Sequence, residues 1–482
     1  MYKASYYTRV VLNAKDILLF NGFTGALVVL TPETFPLVEP FLGQSRSLDA
    51  GVGLDKWDPP HFDLVEIKEP TRGLIDELLK GGFFVSEDFD EQAAIRNRYN
   101  QRSQTAPLFI RITTTLDCNY NCYYCFEDKS KVQLTRSGCD SILNWTFLKI
   151  RSGGHKSLFT SWFGGEPMLN HEAIEYISKR IILHCKENSI HYSSAIISNG
   201  SLWPSDPLEF VHRCKIENIQ FTLDGPPDHH RRRRRLKDKR AHGEDSFDAV
   251  IRLVDALYRD VKIVLRINVD PEIDDSVYEL IPFFEAKGWL SEDSNLIIQL
   301  ALIGPMNEHC ASLDTKKFQE FRSRFQQIQT EFNRQISEKA ASGAFQSEAG
   351  GPIPLNLPCS AVSQNSVIFG PDGLTYKCVL DIGDPSRAFG TVIEPRRREL
   401  SDVNLLKSIE NSPSTVGSRA HPYLDYDPVA HERCGQCQYL PVCLGGCPKD
   451  QFEQNQFYLQ ERSEYWERNF ETIVRARASS AI

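Results

Sequence analysis

The sequence predicts an α/β protein, a partial (β/α)6 parallel barrel with a small α+β domain before it and a cysteine-rich domain after it. Three observations carry this. Between residues 108 and 303, short β-branched or aromatic runs alternate with amphipathic stretches, as βα units on a parallel sheet do. The 482 residues exceed what one hydrophobic core usually organises, so about two to four modules are expected. Nine of the 13 cysteines fall into groups, three just after the first strand of the alternating region and six after residue 355.

In chain order, residues 1–104 read as the small domain, with strands at 8–12, 16–20 and 26–30 and a turn at Asn21-Gly22. Thr31-Pro32 predicts a helix start, with a cap and a first-turn proline. Residues 71–80 predict a second helix, closed by Gly81-Gly82 before a strand at 83–85. The barrel occupies 105–337, with strands at 108–115, 157–163, 195–198, 219–223, 262–269 and 296–303 and helices such as 171–188 and 247–258. Residues 338–354, rich in Ala, Ser and Gly, form a linker. Residues 355–482 hold a hairpin, 366–369 and 374–379, turned by Pro371-Asp372-Gly373, and end in a helix over 451–477.

A net charge of -9 argues against a general nucleic-acid binder. Five consecutive arginines at 231–235, with Lys237, Lys239 and Arg240, lack interleaved aromatics. They read as a solvated loop or a contact to an acidic peptide, and His229 and His230 as surface residues. No uncharged apolar run of about 18 residues occurs and the first residues lack a secretory apolar region, so a cytoplasmic protein away from membranes is expected. In that reducing compartment, grouped cysteines are thiolate ligands rather than disulfides.

The segment Asp117-Cys118-Asn119-Tyr120-Asn121-Cys122-Tyr123-Tyr124-Cys125 directly follows the first barrel strand. The C-x3-C-x2-C spacing puts three thiolates on one loop at the strand ends, where barrels carry their sites. A 4Fe-4S cluster takes four ligands, so three cysteines leave one iron open to a small molecule. A zinc knuckle would need a fourth ligand, and none stands nearby.

These residues resemble the radical SAM superfamily, whose members cleave S-adenosylmethionine (SAM) reductively to a 5'-deoxyadenosyl radical. Ser161-Trp162-Phe163-Gly164-Gly165-Glu166-Pro167 looks like that family's second-strand motif, in which Gly164 and Gly165 let a backbone approach the SAM ammonium and Glu166 accepts its hydrogen bond. Ser198-Asn199-Gly200, Thr222-Leu223-Asp224-Gly225-Pro226 and Arg266-Ile267-Asn268-Val269-Asp270 stand where the family has polar groups for SAM. The resemblance implies that Ser198, Asn199, Arg266 and Asn268 touch SAM and that Tyr124 packs near the adenine. No catalytic acid or base is assigned.

Downstream, Cys359, Gly373 and Cys378, then Cys434-x2-Cys437-x5-Cys443-x3-Cys447, resemble the SPASM extension of radical SAM enzymes that modify peptides and proteins. By that resemblance Cys359, Cys378 and Cys447 hold one auxiliary iron-sulfur cluster and Cys434, Cys437 and Cys443 a second. The family pattern ends in one further cysteine, which this chain lacks; Asp450 and Glu453 are considered in its place. Cys139, Cys185, Cys214 and Cys310 lack ligand spacing and read as packing residues.

The implied function is hydrogen abstraction from a ribosomally made precursor peptide, installing a crosslink or other modification, with flavodoxin or ferredoxin as electron donor. Residues 1–104 resemble leader-peptide recognition domains, which take an extended peptide at a sheet edge. Two alternatives stand beside this: a sulfatase maturase forming formylglycine, and a non-catalytic metal-binding protein that recruits peptides.

Overall fold

The computed structural model describes residues 1–43, 54–238, 245–304, 315–340, 353–392 and 421–481. Cys310, Lys239, Arg240 and most of the expected linker lie outside these. The chain groups into two compact units, one of residues 1–106, 349–365 and 420–482, the other of residues 107–348 and 366–419. This grouping differs from the sequence boundaries, which gave 1–104 and 355–482 to separate domains.

In the second unit six strands, Leu108–Thr113, Ser157–Phe163, His191–Ser198, Ile216–Thr222, Lys262–Val269 and Leu296–Leu302, are paired in parallel in chain order. Their alternation explains the layering. Ile110, Ile112, Leu158, Trp162, Ile196, Phe221, Leu265 and Ile267 are buried in one apolar core with residues of the helices Arg136–Gly153, His171–Glu187 and Ser246–Leu257. The intervening positions, including Arg111, Ser161, Gln220, Arg266 and Gln299, face the other side of the sheet. The helices start where short polar side chains cap them: Thr135 Oγ1 accepts from Gly138 N–H, Asp206 from Glu209 N–H and Asp245 from Phe247 N–H.

The hairpin expected in the cysteine-rich domain instead extends this sheet. Ser366–Phe369 pairs in parallel with Leu108–Thr113, and Leu374–Tyr376 folds back antiparallel. The cause is apolar: Val367 and Phe369 belong to the barrel core, with Phe369 5.2 Å from the Trp145 ring. The turn forms as its residues dictate, with Gly373 at φ +83 and Asp372 Oδ1 accepting from Leu374 N–H.

The first unit is built on a three-stranded antiparallel sheet, Thr8–Asn13, Asp16–Asn21 and Leu27–Leu30. Val10, Leu19 and Leu30 pack with Val38, Ile75, Leu78 and Phe83. Val11, Leu18 and Phe20 pack with Tyr439, Trp466 and Phe470. The sheet is therefore covered on both faces. The first helix runs over Phe35–Leu42, after the turn begun by Thr31, because Pro36 rather than Pro32 occupies its first turn. The last helix spans Gln456–Ala481, following a separate short turn Pro448–Phe452. Among the described residues, no helix is long and apolar enough to cross a membrane.

Candidate functional site

The loop leaving the first barrel strand is clamped from the side of the second. Gly165 N–H donates to the Thr115 carbonyl (3.1 Å) and Glu166 N–H to the Asp117 carbonyl (2.9 Å). This approach requires glycines. A Cβ on Gly164 would lie 2.5 Å from Thr115 O and one on Gly165 2.3 Å from Asp117 O, and Gly164 holds φ +144. What the Gly-Gly turn admits here is thus the backbone of the cysteine loop itself.

Glu166 is fully buried, and its carboxylate gathers three donors: Met168 N–H at 3.0 Å, Ser198 Oγ at 2.8 Å and Asn199 N–H at 2.7 Å. Burial outweighs these bonds and pushes its pKa up to about 7. The carboxylate locks the end of the second strand to the end of the third. From there Asn199 Nδ2 reaches Asn119 Oδ1 (2.9 Å) and the Cys118 sulfur (3.8 Å), while Ser201 Oγ accepts from Asn119 Nδ2 (2.8 Å). Tyr120 N–H also points at the Cys118 sulfur, at 3.4 Å.

The opposite side of the loop is held by the arginine run. Arg234–Leu236 pairs antiparallel with Tyr120–Cys122, setting Arg234 opposite Cys122. Arg233 and Arg234 are buried. Arg233 binds Asp270 (2.5 Å) and stands 3.8 Å from Asp224, and Arg234 donates to Tyr124 Oη (2.7 Å) and lies 4.0 Å from Asp224. The hydroxyls of Tyr123 and Tyr124 donate to Asp270 and Asp224, and Asn268 Nδ2 bridges Asp224 Oδ1 (3.1 Å) and Tyr124 Oη (3.2 Å). Arg266 in turn donates to Asn268 Oδ1 (2.9 Å).

The expectation of a solvated arginine loop is corrected here: Arg231, Arg232 and Arg235 are exposed, but Arg233 and Arg234 neutralise two buried aspartates beneath the cysteine loop. His230, expected at the surface, is fully buried and its Nδ1 accepts from Asp224 N–H at 3.0 Å. Sequence reasoning passed over Asp224 and Asp270 as site residues. The signal was present, since two acids at adjacent strand ends need cations and the fourth βα loop offers a surplus of them.

The strand ends thus gather Tyr124, Gly164, Gly165, Glu166, Ser198, Asn199, Arg266 and Asn268 around Cys118, Cys122 and Cys125. Burial drives the Cys118 thiol up to about 12 and the Cys125 thiol up to about 11; a charge on Cys122 adds to both, and Lys129 opposes them. Buried thiolates at this spot therefore need added positive charge, which bound iron provides. Among the described residues, no three His, Cys, Asp or Glu side chains converge as a single bound ion requires. Three free thiols on one loop are the donor chemistry that a 4Fe-4S cluster takes, so the residues present fit that group.

In the first unit, Cys434, Cys437 and Cys443 line one cavity of about 540 Å³, its open mouth included. Tyr439 N–H and Gln451 Nε2 each donate to a sulfur at 3.4 Å, those of Cys437 and Cys434. The other expected set is divided, with Cys359 and Cys447 in the first unit and Cys378 in the second. Asp450 and Glu453 do not line the cavity; Asp450 bonds to Cys447 and Glu453 pairs with Lys449 at 3.5 Å. Cys139, Cys185 and Cys214 are buried in the barrel core, as packing residues are.

A model of the radical SAM superfamily matches residues 112–283, from the first strand through the fifth βα unit. Residues 112–283 are thus a radical SAM domain. It is 22% identical over 383 residues to a cysteine-type anaerobic sulfatase-maturating enzyme of Clostridium perfringens, covering 74% of this chain and 94% of that one. It is 24% identical over 249 residues to the radical SAM cyclopropyl synthase TigE of Paramaledivibacter caminithermalis, 47% of this chain and 50% of that one. A solved structure titled native anSMEcpe with bound AdoMet and Cp18Cys peptide superposes with TM-score 0.54 at 19% identity, over 77% of this chain and 99% of the other, and so shares the fold. As a radical SAM enzyme the chain uses SAM and a 4Fe-4S cluster.

Proposed function

We propose that this radical SAM enzyme modifies a residue within a peptide or protein, most specifically a ribosomally made precursor peptide. The observation that carries the chemistry is the clamp on the cysteine loop, between the Gly164-Gly165 turn on one side and the Arg234 strand on the other. Cys118, Cys122 and Cys125 hold the 4Fe-4S cluster, with the remaining iron left for SAM. Bound there, SAM and a reduced cluster would supply the radical chemistry that abstracts hydrogen from a substrate. Everything else falls to the protein. Asn199 and the Tyr120 N–H orient the Cys118 sulfur, and Glu166 fixes the strand ends that face SAM. The Asp224, Asn268 and Tyr124 network keeps the fourth and fifth strand ends rigid beside it.

Cys434, Cys437 and Cys443, which line one cavity, hold an auxiliary cluster. The peptide substrate is supported by the relatives, which include a sulfatase-maturating enzyme and a cyclopropyl synthase. Residues 27–30 form an outer strand of the three-stranded sheet, an edge to which an extended leader peptide can add. A flavodoxin or ferredoxin of the cytoplasm supplies the electron.

The second reading, formylglycine formation in a sulfatase, draws support from the Clostridium relative. The experiment is anaerobic reconstitution with iron and sulfide, reduction, and assay of SAM for 5'-deoxyadenosine, followed by mass analysis of two added peptides. One is encoded beside the gene; the other carries a sulfatase cysteine motif. Oxidation of the motif cysteine, with the neighbouring peptide unchanged, would install the second reading. Colourless, zinc-bearing protein with no SAM cleavage would sink both.

A further inference from the structure

We infer that Arg9 is the charge partner of the iron-sulfur cluster held by Cys434, Cys437 and Cys443, a positioning residue that raises the cluster's reduction potential through Cys437. This rests on the reading that these three cysteines bind an auxiliary cluster. Arg9 is buried, only 5% exposed, and a guanidinium keeps its charge in a protein. A buried charge needs a counter-charge. Among the described residues no carboxylate forms an ion pair with it: Nη1 donates to the carbonyls of Tyr6 (2.9 Å) and Thr8 (2.8 Å), and Nε has no acceptor. Glu91 is spent on Ser5 Oγ and Tyr6 N–H, bonds that act on it more strongly than Arg9 does, and Glu471 pairs with Arg475.

The strand Thr8–Asn13 aims Arg9 at the cysteine segment. Successive side chains alternate between its faces, so Arg9 shares a face with Val11 and lies opposite Phe20 of the neighbouring strand. Val11 and Phe20 pack with Tyr439, Val442 and Cys443, and Cys437 packs against the same group. A second link runs through Tyr6, whose ring lies 5.6 Å from the Arg9 guanidinium and whose hydroxyl donates to the carbonyl of Gln436, the residue before Cys437, at 2.6 Å. Arg9 and Cys437 also feel each other's charge. Burial pushes the Cys437 thiol up to about 12 and Arg9 pulls it back, while burial lowers the Arg9 guanidinium and Tyr6, Tyr439 and Cys437 raise it.

Among these groups the thiol is the one that iron converts to a standing anion. Burial keeps the phenols of Tyr7 and Tyr439 neutral. Arg9 does not line the cavity, so it stands behind Cys437 rather than on the iron. A fixed cation there favours the more negative, reduced form of the cluster and so raises its potential. The cluster in turn supplies the negative charge that the buried guanidinium lacks.

The test uses the full chain with Cys118, Cys122 and Cys125 all changed to Ala and reconstituted with iron and sulfide, so that only downstream iron remains. This parent is titrated with dithionite, which supplies the electron, and its midpoint is read by electron paramagnetic resonance. Arg9→Met should shift the midpoint downward, whereas Arg9→Lys, which keeps the charge, should hold it near the parent value. Arg9→Gln keeps a donor for the Tyr6 and Thr8 carbonyls and carries the same expectation where Arg9→Met does not fold. Full iron at the parent midpoint in a neutral variant overturns the inference, and so does an Arg9→Lys protein that shifts, or loses its iron, as far as the neutral ones. Iron lost from the neutral variants and kept by Arg9→Lys upholds the charge partner. A parent chain without iron overturns the auxiliary-cluster reading instead, and the charge partner with it.

Discussion

Gly165 and Asp117 meet so closely that a Cβ on the glycine would stand 2.3 Å from the aspartate's carbonyl oxygen. The obstacle is backbone, which cannot swing aside as a flexible side chain can. Gly165→Ala should push the cysteine loop off the second strand, breaking the bonds from Gly165 N–H and Glu166 N–H. We expect at least a tenfold loss of 5'-deoxyadenosine formation, with reduced iron in the loop cluster and normal iron downstream. Wild-type turnover from this variant would mean that the loop tolerates displacement.

Cys122→Ala should abolish SAM cleavage and remove the iron of one cluster only. Iron analysis beside the cleavage assay checks this. Disappearance of all iron would contradict the separation of Cys118, Cys122 and Cys125 from the downstream cysteines.

Arg234→Met removes one cation from a buried network and leaves Asp224 with a partner missing. Breaking a buried ion pair in this way typically costs about 3–5 kcal/mol. The expected signature is local, with faster amide exchange over residues 117–126 and weaker SAM binding. A second substitution, Asp224→Asn, should recover part of the loss, since it removes the uncompensated charge; strict additivity of the two would show that they do not interact.

Glu166 gives a pH dependence. Its carboxyl titrates near 7 when folded and near 4.3 in a free chain, so between these values the folded state holds a proton that the unfolded state has released. Stability should therefore fall as pH rises from about 4.5 to 7. Glu166→Gln should flatten that slope. It should also lower stability at every pH by about 1–3 kcal/mol, because one of three donors must then face an N–H group. Denaturant midpoints measured across the range decide the matter.

Deleting residues 1–100 should yield insoluble protein rather than an enzyme lacking only peptide recognition. The deletion strips Val11, Leu18 and Phe20 from Tyr439, Trp466 and Phe470. Retained solubility and full downstream iron in the truncated chain would contradict this.

Much of this was legible because the information is local. Each barrel strand is a run of apolar residues with its own turn signals, and three cysteines within eight residues must share a loop. What escaped notice depends on distant partners. Nothing near Ser366–Phe369 says that the strand will pair with Leu108–Thr113; only the shared core of Phe369 and Trp145 decides it. The arginine run looked solvated because its acids, Asp224 and Asp270, lie on two different strands. Likewise a three-stranded sheet reads as an independent small domain until the residues of its second face, Val11, Leu18 and Phe20, find their cover more than 400 positions away.

That last arrangement orders events during synthesis. The sheet of residues 8–30 leaves the ribosome with one apolar face bare, and its cover arrives only with residues 439–478. Translation of the roughly 400 intervening residues takes on the order of 20–80 s at about 5–20 residues per second. The barrel segment can fold within that interval. Until those covering residues are made, Val11, Leu18 and Phe20 remain a sticky surface, so a nascent chain stalled before residue 466 is the form of this protein most in need of a chaperone.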